Sequence, residues 1–260
     1  AVLSVDEGGN FVIPLLSGHI GGANGFAKVL AKVIKATPVV TTATDVNKLF
    51  AVDEWAARNN MIINSMKAAK DFAAALVDGQ EVGLFTDYPI ISALPRQIVL
   101  KDKGVTGLAI TKNRNVNPFD LTVQLWPRNI YLGIGCRRGT TLESIETLVL
   151  PNLKELGIDL RTIVGVASVD LKKDEAGLLN FAAKYNWEIS FFTAEELQNA
   201  AGEFSSSDFV KSVVGVSNVC ERSAVLAANN GSIISSKCSL NGVTLAVAEA
   251  DIVLDFEKLS

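Results

Sequence analysis

The sequence predicts an α/β protein: two mainly parallel α/β units joined by a smaller β-rich middle module. Three observations predict it. Strand-like runs alternate with amphipathic helical stretches near the start and again from about residue 129, which is the pattern of βαβ units. Between these regions the texture changes to short β-prone runs punctuated by Pro89, Pro95, Pro118 and Pro127,. A chain of 260 residues is also long for one core and suits two or three modest domains. The expected divisions are 1–62, 63–128 and 129–260.

Taken in order, Ala1 to Val5 and Phe11 to Leu16 read as strands around the turn Glu7-Gly8-Gly9-Asn10,. A glycine-rich stretch leads into a helix in which Phe26, Val29, Leu30, Val33 and Ile34 recur at the spacing of one apolar face,. Pro38 ends it, Val39 to Thr42 reads as the next strand, and Leu49 to Arg58 is again helical. Asn64 to Val77 is a helix rich in alanine and lysine. Val82–Phe85, Gln97–Leu100, Gly107–Thr111 and Leu121–Trp126 are the strands of the middle module. Ile130 to Ile134 opens the third region as a buried strand. It is followed by a helix from Thr141 to Leu156 stopped by Gly157, a strand from Thr162 to Val169, a helix from Asp174 to Tyr185 and a strand from Glu188 to Phe192. Ala194 to Ala200 and Val219 to Ala228 read as helices. Ser232–Ser236, Val243–Ala248 and Ile252–Phe256 read as closing strands.

Composition narrows the function. Hydrophobic residues make up 48% and charged residues 20%, enough for a packed interior without disulfides. The net charge of −4 disfavours nucleic acid, whose phosphates need a basic face. Cys136, Cys220 and Cys238 are odd in number and form no Cys-x-x-Cys pair, so neither a disulfide framework nor a structural zinc site is indicated. No apolar run reaches the roughly 18 residues of a spanning helix. With no signal peptide visible, the expected location is the reducing cytoplasm, away from any membrane.

Two glycine-rich turns are the main candidates for chemistry. In Ser17-Gly18-His19-Ile20-Gly21-Gly22-Ala23-Asn24, exposed backbone N–H groups and a helix N-terminus suit an anion. His19 is the only histidine and titrates near neutral pH; it either moves a proton or braces the loop. Thr41-Thr42-Ala43-Thr44-Asp45 ends the following strand, where α/β sheets bind ligands, although Thr44 or Asp45 could simply cap a helix.

The second turn is Gly133-Ile134-Gly135-Cys136-Arg137-Arg138-Gly139-Thr140. Its two arginines could hold carboxylates or phosphates through forked hydrogen bonds. Its glycines invite an NADP-dependent oxidoreductase reading, weakened by the lack of an acidic residue at the expected ~20 positions later. Cys136 reads as a nucleophile or, with no histidine near it in the chain, as a small buried thiol. Further along, Ser168, Asp170 and Lys172 close a strand, and Glu175 opens a helix. Glu221, after Ser217-Asn218, sits in the first turn of another helix, and Lys237 follows a strand. Caps, dipole-matched charges and surface positions explain these equally well.

These runs, taken together, resemble the motifs of cobalt-precorrin-5A hydrolases, often called the CbiG family. The hallmark is Leu15 to Asn24, followed at the right distance by Thr41 to Asp45. Gly133 to Thr140 resembles the signature that opens the family's C-terminal domain. Ala167-Ser168-Val169-Asp170-Leu171-Lys172, Ser217 to Glu221 and Thr244 to Ala248 follow in the same order. The stretch from about Met61 to Arg128 matches mainly by position. Family members carry sequence upstream of the point matched by Ala1, so the resemblance implies that 1–62 is the remainder of an N-terminal domain.

The resemblance implies hydrolysis of the ring-A-derived δ-lactone of cobalt-precorrin-5A, with loss of acetaldehyde to give cobalt-precorrin-5B during anaerobic cobalamin (vitamin B12) assembly. Cobalt would then belong to the tetrapyrrole substrate, and no cofactor or protein-held metal is expected. His19 becomes the expected catalytic base, with Asp45 orienting it or holding water. Ser17, Gly18, Gly21, Gly22, Asn24, Thr41, Thr42, Thr44, Cys136, Arg137, Arg138, Gly139, Thr140, Ser168, Asp170, Lys172 and Glu221 become the expected substrate-binding set. A groove between the first and third regions would bring the two glycine-rich turns together. Contacts with neighbouring enzymes of the cobalamin pathway are a further expectation, and oligomeric state is left open. The rivals are the oxidoreductase and a non-catalytic tetrapyrrole carrier using the same arginines.

Overall fold

The computed structural model describes residues 1–16, 22–41, 47, 49–112, 115–202, 204 and 218–257. Strands among these gather into three sheets, and the chain divides into two units. The first unit is Ala1–Pro127 together with the tail from Val253; the second is Arg128–Ile252. Both mix helices with strands, as the sequence predicts. Among the described residues no helix is long and apolar enough to cross a membrane.

The first unit holds two sheets. In one, β1 (Val2–Val5) pairs antiparallel with β2 (Phe11–Leu16). The Asp6 carboxylate accepts the Phe11 N–H at 2.5 Å and closes the turn between them. Helix α1 (Ala23–Ile34) then leads to β3 (Thr37–Pro38), parallel to β2. The sequence places that strand at Val39–Thr42. Pairing sets it earlier, because Lys35 ends α1 in a left-handed conformation and turns the chain onto β2 at once.

The second sheet of this unit comprises β4 (Met61–Ile63), β5 (Val82–Thr86), β6 (Ile98–Leu100), β7 (Gly104–Ile110) and β8 (Phe119–Pro127). Its order is β4-β8-β7-β5-β6, and all pairings but β4–β8 are parallel. Helices α2 (Val52–Arg58) and α3 (Met66–Val77) belong with it. Ser65 starts α3 by accepting the Ala68 N–H, the usual service of an N-cap serine. The proline-punctuated middle stretch thus forms a mainly parallel sheet, whereas in the first sheet only the short β2–β3 pairing is parallel.

The second unit is a three-layer α/β sandwich. Its strands are β9 (Ile130–Cys136), β10 (Ile163–Val169), β11 (Glu188–Phe192), β12 (Ser232–Leu240) and β13 (Val243–Glu249), in the order β11-β10-β9-β13-β12. The first three run parallel, and the closing hairpin adds two antiparallel pairings. Helices α4 (Leu142–Glu155) and α5 (Ala176–Lys184) bury Ile145, Leu148, Val149, Leu178 and Phe181 against Ile130, Leu132 and Ile134. As the sequence predicts, α4 stops at Gly157, which has φ +67°, a left-handed terminus suited to glycine. The short α6 (Ala194–Gln198) starts at a reciprocal Thr193–Glu196 capping box. Helix α7 (Val219–Ala227) covers the other face, where Ala224, Val225 and Ala228 pack on Ala248.

The expected strand at Ile252–Phe256 is not formed. Beyond the second unit the chain returns to the first, and Leu254 makes a single parallel bridge to Ile90. Its burial is complete there, so the apolar run that reads as a strand serves as a strap. The Trp55 indole N–H donates to the Asp255 carbonyl at 3.0 Å. The Trp55 and Phe256 rings stack at 4.6 Å.

Candidate functional site

The carboxyl ends of β9 and β10 carry the candidate site in the second unit. Open α/β sheets bind ligands at this edge because the loops there leave successive backbone groups and helix N-termini facing outward. Gly133 has no room for a side chain: a Cβ would lie 1.8 Å from the Cys220 carbonyl of α7. The first glycine of the motif therefore serves helix–sheet packing. Gly139, with φ +74°, turns the chain from β9 towards α4. Both glycines thus have uses in the fold itself, and neither by itself calls for a dinucleotide,.

The turn after Cys136 is tied to the segment after β10. Thr140 Oγ1 donates to the Arg137 carbonyl at 2.7 Å. The Gly139 N–H donates to Glu175 Oε1 at 2.8 Å. Arg138 pairs with Asp174 through Nη1 and donates from Nη2 to the Leu171 carbonyl at 2.7 Å. The Asp174 hydrogen bond raises the already high Arg138 pKa, and Arg138 in turn lowers that of Asp174. Arg138 and Asp174 are largely exposed, at 60% and 74%, so solvent screens this pair and it adds little to stability. Glu175 is buried at 4% exposure, with Lys172 Nζ 3.7 Å and Arg138 Nη1 4.0 Å from Oε2.

Arg137 behaves differently from its neighbour. Its side-chain stem lies over Gly242, where an added Cβ would meet its Cδ and Nε at 2.8 Å. Gly242 follows Asn241 in the two-residue loop of the β12–β13 hairpin, and both have positive φ, the geometry that Asn-Gly favours there. Arg137 is exposed and forms no ion pair among the described residues. It is the arginine best placed to meet an incoming anion.

Cys136 is half-buried beside Lys172, Glu175 and Thr140. Burial pushes its thiol pKa up, Lys172 pulls it back and Glu175 adds to the rise. A raised thiol pKa makes a poor nucleophile at neutral pH, in keeping with a small packed thiol. Ser168 is fully buried and donates to the Ile134 carbonyl at 2.6 Å, joining β10 to β9. Asp170 begins the short turn after β10 and accepts the Lys173 N–H on its backbone carbonyl. Glu221 is buried at the start of α7. It accepts from the Asn218 side chain at 2.5 Å and from the Lys237 N–H at 2.7 Å. Its carboxylate fastens α7 to β12. The structure thus brings Cys136, Arg138, Gly139, Thr140 and Lys172 together, while Ser168 and Glu221 serve the fold beneath them.

The sequence places Glu175, at a helix start, on the same edge as Arg137 and Arg138 but gives it no binding role, and it does not single out Asp174 there. The signal available was the dense charge run Asp170 to Glu175 directly after a strand.

In the first unit, Gly22 caps α1 with φ 72°, and its carbonyl accepts the Phe26 N–H at 2.9 Å. Asn24 is buried in the first turn of that helix, and Thr41 is exposed beyond β3. Ser17, Gly18, His19, Gly21, Thr42, Thr44, Asp45 and Ser217 lie outside the described residues.

Family models match nearly the whole chain. The model for the cobalamin synthesis G N-terminal region matches residues 1–45, that for the cobalamin biosynthesis central region 50–127, and that for the cobalamin synthesis G C-terminus 130–248. The chain is 34% identical to a cobalt-precorrin-5A hydrolase of Salmonella typhimurium, over 96% of this chain and 74% of that one. This chain belongs to the cobalt-precorrin-5A hydrolase (cobalamin synthesis G) family. Another family relative, the cobalt-precorrin-5A hydrolase of Priestia megaterium, is 30% identical over 95% of this chain and 71% of its own. Among solved structures, CobE, a protein from the cobalamin (vitamin B12) biosynthetic pathway, is 28% identical. It covers 46% of this chain and 89% of its own, at a TM-score of 0.44. The second unit described above corresponds to the region matched by the family's C-terminal model.

Proposed function

We propose that this chain is a hydrolase that opens the δ-lactone of cobalt-precorrin-5A and releases acetaldehyde, giving cobalt-precorrin-5B. The observation that carries the reading is 34% identity over 96% of the chain to an enzyme of that name. Cobalt enters as part of the substrate, and the reading needs no cofactor of the protein's own. A tetrapyrrole bearing several carboxylates needs cations, and the exposed Arg137 offers one at this sheet edge,. Arg138 and Lys172 supply positive charge behind it.

The chemical step needs a base to take a proton from water as its oxygen attacks the lactone carbonyl. It then needs an acid to return a proton to the departing ring oxygen. We assign both roles to His19, with Asp45 as its orienting partner. Loss of a two-carbon unit as acetaldehyde follows ring opening. The test is incubation with cobalt-precorrin-5A and trapping of acetaldehyde, comparing the wild type with His19→Asn. An amide keeps hydrogen bonding but takes no proton at neutral pH, so the variant is expected to bind substrate and lose ~10²–10⁴-fold in turnover. Near-normal turnover in His19→Asn would move the base to Asp45. Absence of acetaldehyde from the wild type would refute the activity.

A further inference from the structure

We propose that Glu175 is the positioning residue of this carboxylate site, holding the arginine-bearing turn and the Lys172 ammonium in place through geometry. The inference rests on the reading above that the ligand is a polycarboxylate. A carboxylate in a site for carboxylates is at first sight misplaced: it repels the ligand and opposes the cations meant to attract it. It is also costly to bury. Yet Glu175 is 96% shielded from solvent, being 4% exposed, and three features of the candidate site converge on it. Oε1 accepts the N–H of Gly139, the turning residue of the motif. Oε2 faces Lys172 at 3.7 Å and Arg138 at 4.0 Å. Those two cations meet Oε2 at ion-pair rather than hydrogen-bond distance.

The arrangement explains how two adjacent arginines come to do different work. Arg138 is drawn back onto Glu175, Asp174 and the Leu171 carbonyl. With Gly139 held at the same carboxylate, the turn leaves Arg137 directed over the hairpin loop. One carboxylate thereby fixes the turn, one retained arginine and one lysine, and the remaining arginine is left to meet the ligand.

The geometric role and a mere counter-charge make opposite predictions, and three variants separate them. Glu175→Ala removes both the charge and the Gly139 acceptor. Glu175→Gln removes the charge but keeps an acceptor oxygen. Glu175→Asp keeps the charge but falls one methylene short. The probe is metal-free uroporphyrin, an octacarboxylate tetrapyrrole, titrated by absorbance onto the whole chain. We expect Glu175→Ala and Glu175→Asp to bind about tenfold more weakly, the usual consequence of losing one charge-assisted bond. Glu175→Gln is expected to stay within about threefold of wild type.

A second measurement needs no ligand. Exchange protection of the Gly139 amide should be lost in Glu175→Ala and Glu175→Asp and kept in Glu175→Gln. Tighter binding by both Glu175→Ala and Glu175→Gln would make Glu175 a counter-charge only and overturn the proposal. So would unchanged Gly139 protection in Glu175→Ala or, should that variant fail to fold, in Glu175→Asp. If the wild type does not bind the porphyrin, the polycarboxylate reading itself falls and takes this inference with it. If the wild type binds and the three variants match it, only the role of Glu175 falls.

Discussion

At the scale of single residues, the second unit shows one motif doing two kinds of work. Gly133 and Gly139 stand six positions apart in one signature, but only Gly139 turns the backbone. Gly133 lets α7 lie against β9, with the Cys220 carbonyl where a Cβ would be. Backbone cannot swing aside as a flexible side chain can, so Gly133→Ala must push α7 off the sheet. Forced overpacking of this kind costs ~1–3 kcal/mol. A denaturant titration of Gly133→Ala should show that loss, and wild-type stability would mean that α7 is not seated as described. Arg137 and Arg138 make the complementary point. Identical side chains at adjacent positions have different uses, because Asp174, Leu171 and Glu175 lie beside one and the hairpin loop beside the other.

At the scale of elements, α1 is the instructive case. Its sequence reads as one large apolar face built on Phe26, Val29, Leu30, Val33 and Ile34. In the structure the packed stripe is Ala23, Ala27 and Ala31, set against Val12 and Leu3. Phe26 and Val33 are 56% and 73% exposed, and of the expected set only Leu30 joins the packing. Three alanines one turn apart bring the helix axis close to the sheet, and a larger residue in that stripe would hold it away. Ala27→Leu is therefore expected to destabilise the first unit by ~1–3 kcal/mol, whereas Val33→Ser should stay within ~0.5 kcal/mol. Thermal melts of the two variants decide it. The reverse ranking would mean that the large apolar face is the buried one.

At the scale of the whole molecule, the chain enters the first unit twice. After Ile252 the tail passes Pro89 to Ser92: the Leu254 N–H donates to the Pro89 carbonyl at 2.8 Å, and the Phe256 N–H to Ser92 Oγ at 2.7 Å. Leu254 is fully buried, and Phe256 stacks on Trp55. Burying a leucine contributes ~1.5–3 kcal/mol and an aromatic pair ~0.5–1.5 kcal/mol beyond its area. Ending the chain at Ile252 should therefore destabilise the first unit by ~2 kcal/mol or more, leaving the second intact. Hydrogen exchange followed by peptide mass analysis would read both units at once. Equal loosening of the two, or of neither, would contradict the strap.

Much of this was legible in the sequence, and the division follows the range of the forces involved. The helix stop at Gly157, the strand at Glu188–Phe192 and the glycine-rich turn after β9 depend on dihedral preferences and periodicity within a few residues, and the sequence alone determined them. So did the family, since ordered motifs spread over the chain carry it. Tertiary structure alone decided which stripe of α1 is buried, where β3 pairs and that Ile252–Phe256 straps the first unit. It alone showed that Ser168 and Glu221 brace the fold, that Arg138 is held while Arg137 is not, and that Glu175 lies beneath them. Each of these depends on a partner distant in sequence: Val12 for Ala27, Ile90 for Leu254, Gly139 for Glu175. Local propensity is blind to such partners, because a carboxylate near a helix start reads alike whether it caps that helix or reaches across to hold another turn.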